Sequence, residues 1–139
     1  MRMPFQHTRT IAWGDADPAG IAYTGRFPNF ALDAIEAWFA ARLGIDWYRM
    51  HRELGGGTPF VHMDMDFRMS LRPGDVLCTE VRLRRAGRSS LEFAVRGLVG
   101  GQVSFEGRFV CAFVDDATEK SRPAPESLRD GIARELDPD

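Results

Sequence analysis

Two carboxylates, Asp15 and Asp17, stand close together in the string Gly14-Asp-Ala-Asp-Pro-Ala-Gly-Ile21. Pro18 restricts the backbone before it and Gly20 releases the backbone after it, so this stretch must turn sharply. In such a turn a short carboxylate can satisfy local backbone N–H groups, or it can be held out to do acid–base or nucleophilic work. For an isolated Asp-X-Asp-Pro the first reading is the stronger one.

Other polar residues offer less chemistry. Arg84, Arg85 and Arg88, followed by Ser89 and Ser90, form the densest basic cluster and sit at a predicted turn. Guanidinium forks and turn N–H groups can hold phosphates, although basic turns are often only solvated surface. His7, His51 and His62 show no metal-ligand spacing, none stands out as a general base, and no metal is expected. Three of the six methionines alternate in one strand-like run, which suits core filling.

The elements that must position the acidic loop can be read around it. Residues 7 to 13 suggest a first strand that stops at Gly14. From Pro28 to Leu43, Phe30, Ala31, Ala34, Trp38 and Ala41 recur at helical spacing, while Leu32, Ile35, Phe39 and Leu43 fill much of the remaining circumference. This predicts a helix buried on most sides, with Pro28 in its first turn and Gly44 as its stop.

After a mobile-looking Gly55-Gly-Gly57, residues 61 to 71 alternate Val61, Met63, Met65, Phe67, Met69 and Leu71 with polar residues. They predict a long strand with one face buried. A turn at 72–75, a strand at 76–84, a turn at 85–88 and a strand at 90–99 follow. Gly100-Gly101 then predicts a tight hairpin into a last strand at 103–114, and residues 123–136 offer a short peripheral helix or a tail. The order is α+β with an antiparallel sheet, and a curved sheet wrapping the helix is the economical arrangement.

Length and composition agree with this plan. A chain of 139 residues, 44% apolar and 27% charged, suits a single domain with a proper core. The formal charge of -2 argues against a nucleic-acid-coating protein, and no apolar stretch suggests a signal or membrane segment. A cytoplasmic location is the default expectation, with Cys78 and Cys111 as reduced core residues.

The full string Gly14 to Ile21, followed by a buried aromatic helix, resembles the active-site segment of the 4-hydroxybenzoyl-CoA thioesterase family of hotdog-fold acyl-CoA thioesterases. Gly57-Thr-Pro-Phe-Val61 resembles that family's entry into its long second strand, and Asp75-Val-Leu77 opens the third. The likeness covers about residues 7 to 115. It implies a five-stranded antiparallel sheet wrapped around a long central helix, a homodimer with paired sheets, a homotetramer beyond it, and a site at the subunit interface.

By the same resemblance Asp17 is the catalytic carboxylate of a coenzyme A thioester hydrolase, as nucleophile or general base. Thr24 and Gly25 supply backbone donors to the oxyanion. Thr24 stands where relatives often carry Tyr or His, which removes a ring from that position. Trp47, Thr58, Pro59 and Phe60 match positions near the substrate, packing over the helix end being the other reading of Trp47. Arg84, Arg85, Arg88, Ser89 and Ser90 would hold the CoA phosphates, with Arg88 and Ser90 the best matches. The implied substrate is an aryl-CoA or short acyl-CoA of the 4-hydroxybenzoyl type, with no separate cofactor. The alternatives are a hotdog enoyl-thioester hydratase or dehydratase, which would need a histidine beside the acid, and a non-catalytic acyl-CoA-binding module.

Overall fold

A computed structural model describes residues 3–137 of the chain. Its main sheet is antiparallel, built from β1 (Phe5–Thr10), β3 (Phe60–Phe67), β4 (Val76–Ala86), β5 (Ser90–Val99) and β6 (Gln102–Ala112) in the order β1-β4-β5-β6-β3. A two-residue ribbon pairs β2 (Gly56–Gly57) with β7 (Val114–Asp115). The described residues also form three α-helices: α1 (Phe27–Trp38), α2 (Trp47–Leu54) and α3 (Glu126–Glu135).

Helix α1 lies in the curve of the sheet, against β1, β4 and β5. Its Phe27, Phe30, Ala31, Ala34, Ile35 and Trp38 are buried, because the apolar positions cover more than one face. Ala31 and Ala34 let the backbone approach the sheet, while the Trp38 ring meets Phe39 and Phe93 edge-on at 5.1 and 4.9 Å. Each large side chain removed from water here contributes roughly 1.5–3 kcal/mol. The helix widens into a π turn over Phe39–Leu43 and stops at Gly44, whose φ of 75° is the left-handed conformation expected of a C-terminal glycine.

The Gly100-Gly101 hairpin has φ of 57° and 80°, as a two-residue turn with both central residues left-handed requires. Strand β5 occupies the predicted residues, and β4 runs two residues further than expected, to Ala86. The first strand lies earlier than predicted. It ends at Thr10, and Trp13 begins a short 3-10 turn with its ring in solvent, because the backbone must already be bending toward the acidic loop.

Two further differences have physical causes. Gly55 caps α2 with φ of 70°, while Gly56 and Gly57 are buried and paired with β7, so the triple glycine is an ordered crossing. A Cβ on Gly56 would collide with the Val114 carbonyl oxygen. Strand β3 ends at Phe67; Phe60 and Met65 pack against the core, but within one chain three of its apolar side chains are open to solvent: Val61 is 66%, Met63 45% and Phe67 51% exposed. It is an edge strand that meets α1 at its end, where Phe67 packs edge-on on Phe27 at 5.2 Å, and a bulge at Val61 breaks the alternation before His62.

Candidate active site

The loop between β1 and α1 is fixed by Asp15. One carboxylate oxygen of this buried residue accepts from Arg9 Nη2 at 2.6 Å and from the Ala12 N–H at 2.8 Å. Its carbonyl accepts from the Tyr23 N–H at 2.9 Å. The same Arg9 guanidinium lies 4.6 Å from the centre of the Phe30 ring, which ties the loop to α1. Asp15 is the turn-stabilising carboxylate of the pair.

Asp17 stands at the tip of a small hairpin. Its N–H donates to the Ile21 carbonyl at 2.9 Å, its carbonyl accepts from Gly20, and Ala16 bridges to Ala22. Oδ1 accepts the Ala19 N–H at 2.8 Å, and Oδ2 accepts from no group among the described residues. A half-buried carboxylate held by one oxygen, with the other open, can receive a proton or attack an electrophile.

The chain then makes a 3-10 turn over Thr24–Arg26 and runs directly into α1. The Arg26 N–H donates back to the Tyr23 carbonyl, whereas the N–H groups of Thr24 and Gly25 have no acceptor among the described residues. Free donors at the positive end of a buried helix suit a developing oxyanion. The Tyr23 ring lies over Gly25 and would collide with a Cβ there. Thr24, Ile21, Ala22 and Phe27 line one side of a pocket of about 290 Å³, and Phe67, Arg68, Met69 and Ser70 line the other.

Trp47, Thr58, Pro59 and Phe60 are also brought together, in a second pocket of about 530 Å³ that includes Leu32, His51 and Val114. The Trp47 ring meets Phe60 at 5.8 Å and Phe39 at 5.9 Å, so it both packs over the helix end and faces the pocket. The two pockets lie at opposite ends of β3, Phe60 at one and Phe67 at the other. Seven strand steps separate these residues, about 23 Å at the usual rise.

The basic cluster divides. Arg88 and Ser90 line a third pocket, of about 270 Å³, with Phe113 and Arg129. Ser89 spends its carbonyl on the Phe113 N–H at 2.7 Å. Arg85 is exposed and falls at a register shift in β4, while Arg84 points to the outer face of the sheet and pairs with Asp137 at 3.8 Å. Phe113 lines the Arg88 pocket and its neighbour in sequence, Val114, lines the Trp47 pocket.

None of the histidines sits among the residues around Asp17. His62 lies on the outer face of β3 with Asp64 at 2.8 Å and Arg108 at 3.2 Å, and His51 is in the Trp47 pocket. Among the described residues no cluster of three or more His, Cys, Asp and Glu side chains could hold a metal ion. No helix there is long and apolar enough to cross a membrane.

Residues that sequence reading missed are Arg9, which anchors the loop, and His51. Asp46 before Trp47 and Gly55 after Leu54 mark the ends of α2, and the spacing of Trp47 and His51 on it would have paired them.

Comparisons with known proteins agree with this architecture. A family model described as the thioesterase-like superfamily matches residues 11–132. A crystal structure of a thioesterase superfamily member from Jannaschia sp. is 39% identical, with a TM-score of 0.90 over 96% of this chain and 94% of that one. A 1,4-dihydroxy-2-naphthoyl-CoA hydrolase of Rippkaea orientalis is 30% identical over 125 residues, covering 88% of this chain and 90% of that protein. One of the same name from Synechococcus elongatus is 28% identical over 129 residues, covering 92% and 94%. By its fold, its acidic loop before a buried helix and the match along nearly its whole length, the chain belongs to the thioesterase-like superfamily, thioester hydrolases built on the hotdog fold.

Proposed function

We propose that this enzyme hydrolyses an aryl- or acyl-CoA thioester at a site shared by two subunits, with Asp17 as the reacting carboxylate. The observation that carries this reading is the single-sided engagement of Asp17: Oδ1 is held by Ala19 and Oδ2 is open, while the N–H groups of Thr24 and Gly25, in the turn that leads into α1, have no acceptor among the described residues. The carboxylate either adds to the thioester carbonyl, expelling the CoA thiolate to leave a mixed anhydride that water opens, or takes a proton from the attacking water. In both routes the carbonyl oxygen gains negative charge, and the Thr24 and Gly25 donors stabilise it.

Edge strand β3 supports the shared site. Its unpaired backbone and its exposed Val61, Met63 and Phe67 form a surface that a lone chain leaves uncovered. Antiparallel pairing with the β3 of a second copy places the Phe67 end of one chain beside the Phe60 end of the other. The Asp17 loop of one subunit then meets the Trp47 pocket of its partner, which removes the separation of about 23 Å found within one chain. Trp47 and Phe60 enclose the acyl or aryl group, and Arg88, in the third pocket, holds CoA phosphates. An aryl group of the kind named for the naphthoyl-CoA hydrolases suits a pocket with two aromatic walls.

The test is thiol release from a panel of benzoyl-, hydroxybenzoyl-, short-chain and long-chain acyl-CoAs. Turnover of the aryl-CoAs with kcat/KM above about 10⁴ M⁻¹s⁻¹ supports the proposal. Binding of these thioesters without thiol release would replace it with a binding module.

A further inference from the structure

The pocket lined by Trp47 and Phe60 is unevenly charged. Asp115, Asp116 and Glu119 border it from the turn after β7, and His51 is the one basic side chain in its lining among the described residues. His51 lies one turn along α2 from Trp47, and Asp116 sets both carboxylate oxygens against its Nδ1, at 3.1 and 2.9 Å. Arg122 packs at Gly56, and strand alternation puts that face of the ribbon opposite the one where Gly57 carries the His51 ring.

The two remaining carboxylates are not neutralised. One Asp115 oxygen accepts from the Ala117 and Thr118 N–H groups, and the Glu119 N–H donates to the Asp115 carbonyl at 2.8 Å, which closes the turn. The Glu119 carboxylate has no hydrogen bond or ion pair among the described residues. Carboxylates alone would be a solvated rim. Here they border a cavity of about 530 Å³ whose Trp47 and Phe60 rings meet at 5.8 Å and 67°, two walls of an aromatic corner, with Leu32 and Pro59 beside them.

We infer that this pocket selects acyl groups that end in a positive charge, a quaternary ammonium above all, over neutral groups of the same shape. The selection rests on the thioester reading above, which gives the cavity to the acyl group, and it specifies the charge of the occupant. Aromatic faces attract a cation, and a quaternary ammonium is weakly hydrated and requires no hydrogen-bond acceptor on entering such a corner. The carboxylates add attraction at the rim and repel an acyl group that ends in a carboxylate.

The test uses non-hydrolysable thioether analogues of 4-trimethylammoniobutanoyl-, 5,5-dimethylhexanoyl- and 4-carboxybutanoyl-CoA, titrated calorimetrically into the full chain. The first two differ only by nitrogen for carbon at the branch point, so their ratio reads charge alone. The native protein binds the ammonium analogue about tenfold more tightly than the neutral one, and the carboxylate analogue most weakly. Glu119→Gln lowers the ammonium preference at least about threefold. Adding Asp115→Asn, which keeps an oxygen for the Ala117 N–H, lowers it further, while the neutral analogue binds within about twofold of native in both variants. A native protein that binds the neutral analogue as tightly as the ammonium one overturns the inference. So does a preference undiminished in the double variant, or an equal loss of affinity for both analogues. Failure of the thioesterase reading looks different: no thiol is released from any thioester, while the charge preference in binding persists.

Discussion

Removing the Asp15 carboxylate separates the structural acid from the reacting one. Asp15→Ala deletes the acceptor of Arg9 at 2.6 Å and of the Ala12 N–H at 2.8 Å in a site that is only 7% exposed. A hydrogen bond to a charged group contributes about 1.5–3 kcal/mol, and a buried N–H left alone costs a further 1–3. Arg9 keeps some solvent and its contact with Phe30, so the low end applies, about 3 kcal/mol in all. For a chain of this size that lowers Tm by roughly 10 °C. Asp15→Asn retains a carbonyl for Ala12 and should lose about half as much. Asp17 spends one oxygen on an exposed Ala19 N–H, and its amide variant keeps that acceptor, so Asp17→Asn should shift stability by less than about 1 kcal/mol. The assay is urea unfolding of the three variants alongside thiol release at 15 °C. Stability loss in Asp15→Ala with turnover within about tenfold of native fits the assignment. Full stability with abolished turnover in Asp15→Asn, beside an active Asp17→Asn, would refute it.

Three other expectations follow from the same geometry. Met63→Lys puts a charge on the open face of β3, so light scattering should report a monomer and kcat/KM should fall at least about 100-fold; an active monomer contradicts the shared site. Arg88→Ala should raise KM for a CoA thioester about tenfold while kcat stays within roughly twofold, measured against the same acyl group on a pantetheine fragment, where the variant should have no effect. Burial pushes the Cys111 thiol up to about 12. The unfolded chain therefore gives up this proton first, and the thiol's contribution is intact below about pH 9 and declines as pH rises toward 12, by at most about 1.4 kcal/mol per pH unit. Urea unfolding at pH 8, 9 and 10 should show that decline in the native protein and a shallower one in Cys111→Ala.

Helix α1 was legible because its apolar residues exceed what one helical face needs, and the glycine turns because they demand left-handed backbone. Strand β3 was legible as a strand, yet its alternation also predicts burial, and burial depends on what lies across an edge that sequence does not describe. The basic cluster looked like one site because its residues all fall within positions 84–90. Strand alternation and a register shift after Leu83 send Arg84 to the outer face and leave Arg88 at the turn. The resemblance already singled out Asp17, whereas the part of Asp15 in fixing the loop rests on Arg9, a partner the sequence does not identify. His51 and Asp116 are 65 residues apart and meet only because α2 packs beside the turn after β7, so no local pattern announced them.

Thioester turnover by Asp17→Asn, compared with the native protein under saturating aryl-CoA, tests the central claim most directly. The substitution keeps the Ala19 hydrogen bond and the hairpin, and removes only the charge and its basicity. A fall in kcat of about 10³-fold or more, with native Tm and undiminished binding of the thioether analogue, is the predicted result. Turnover within a few-fold of native would contradict the account.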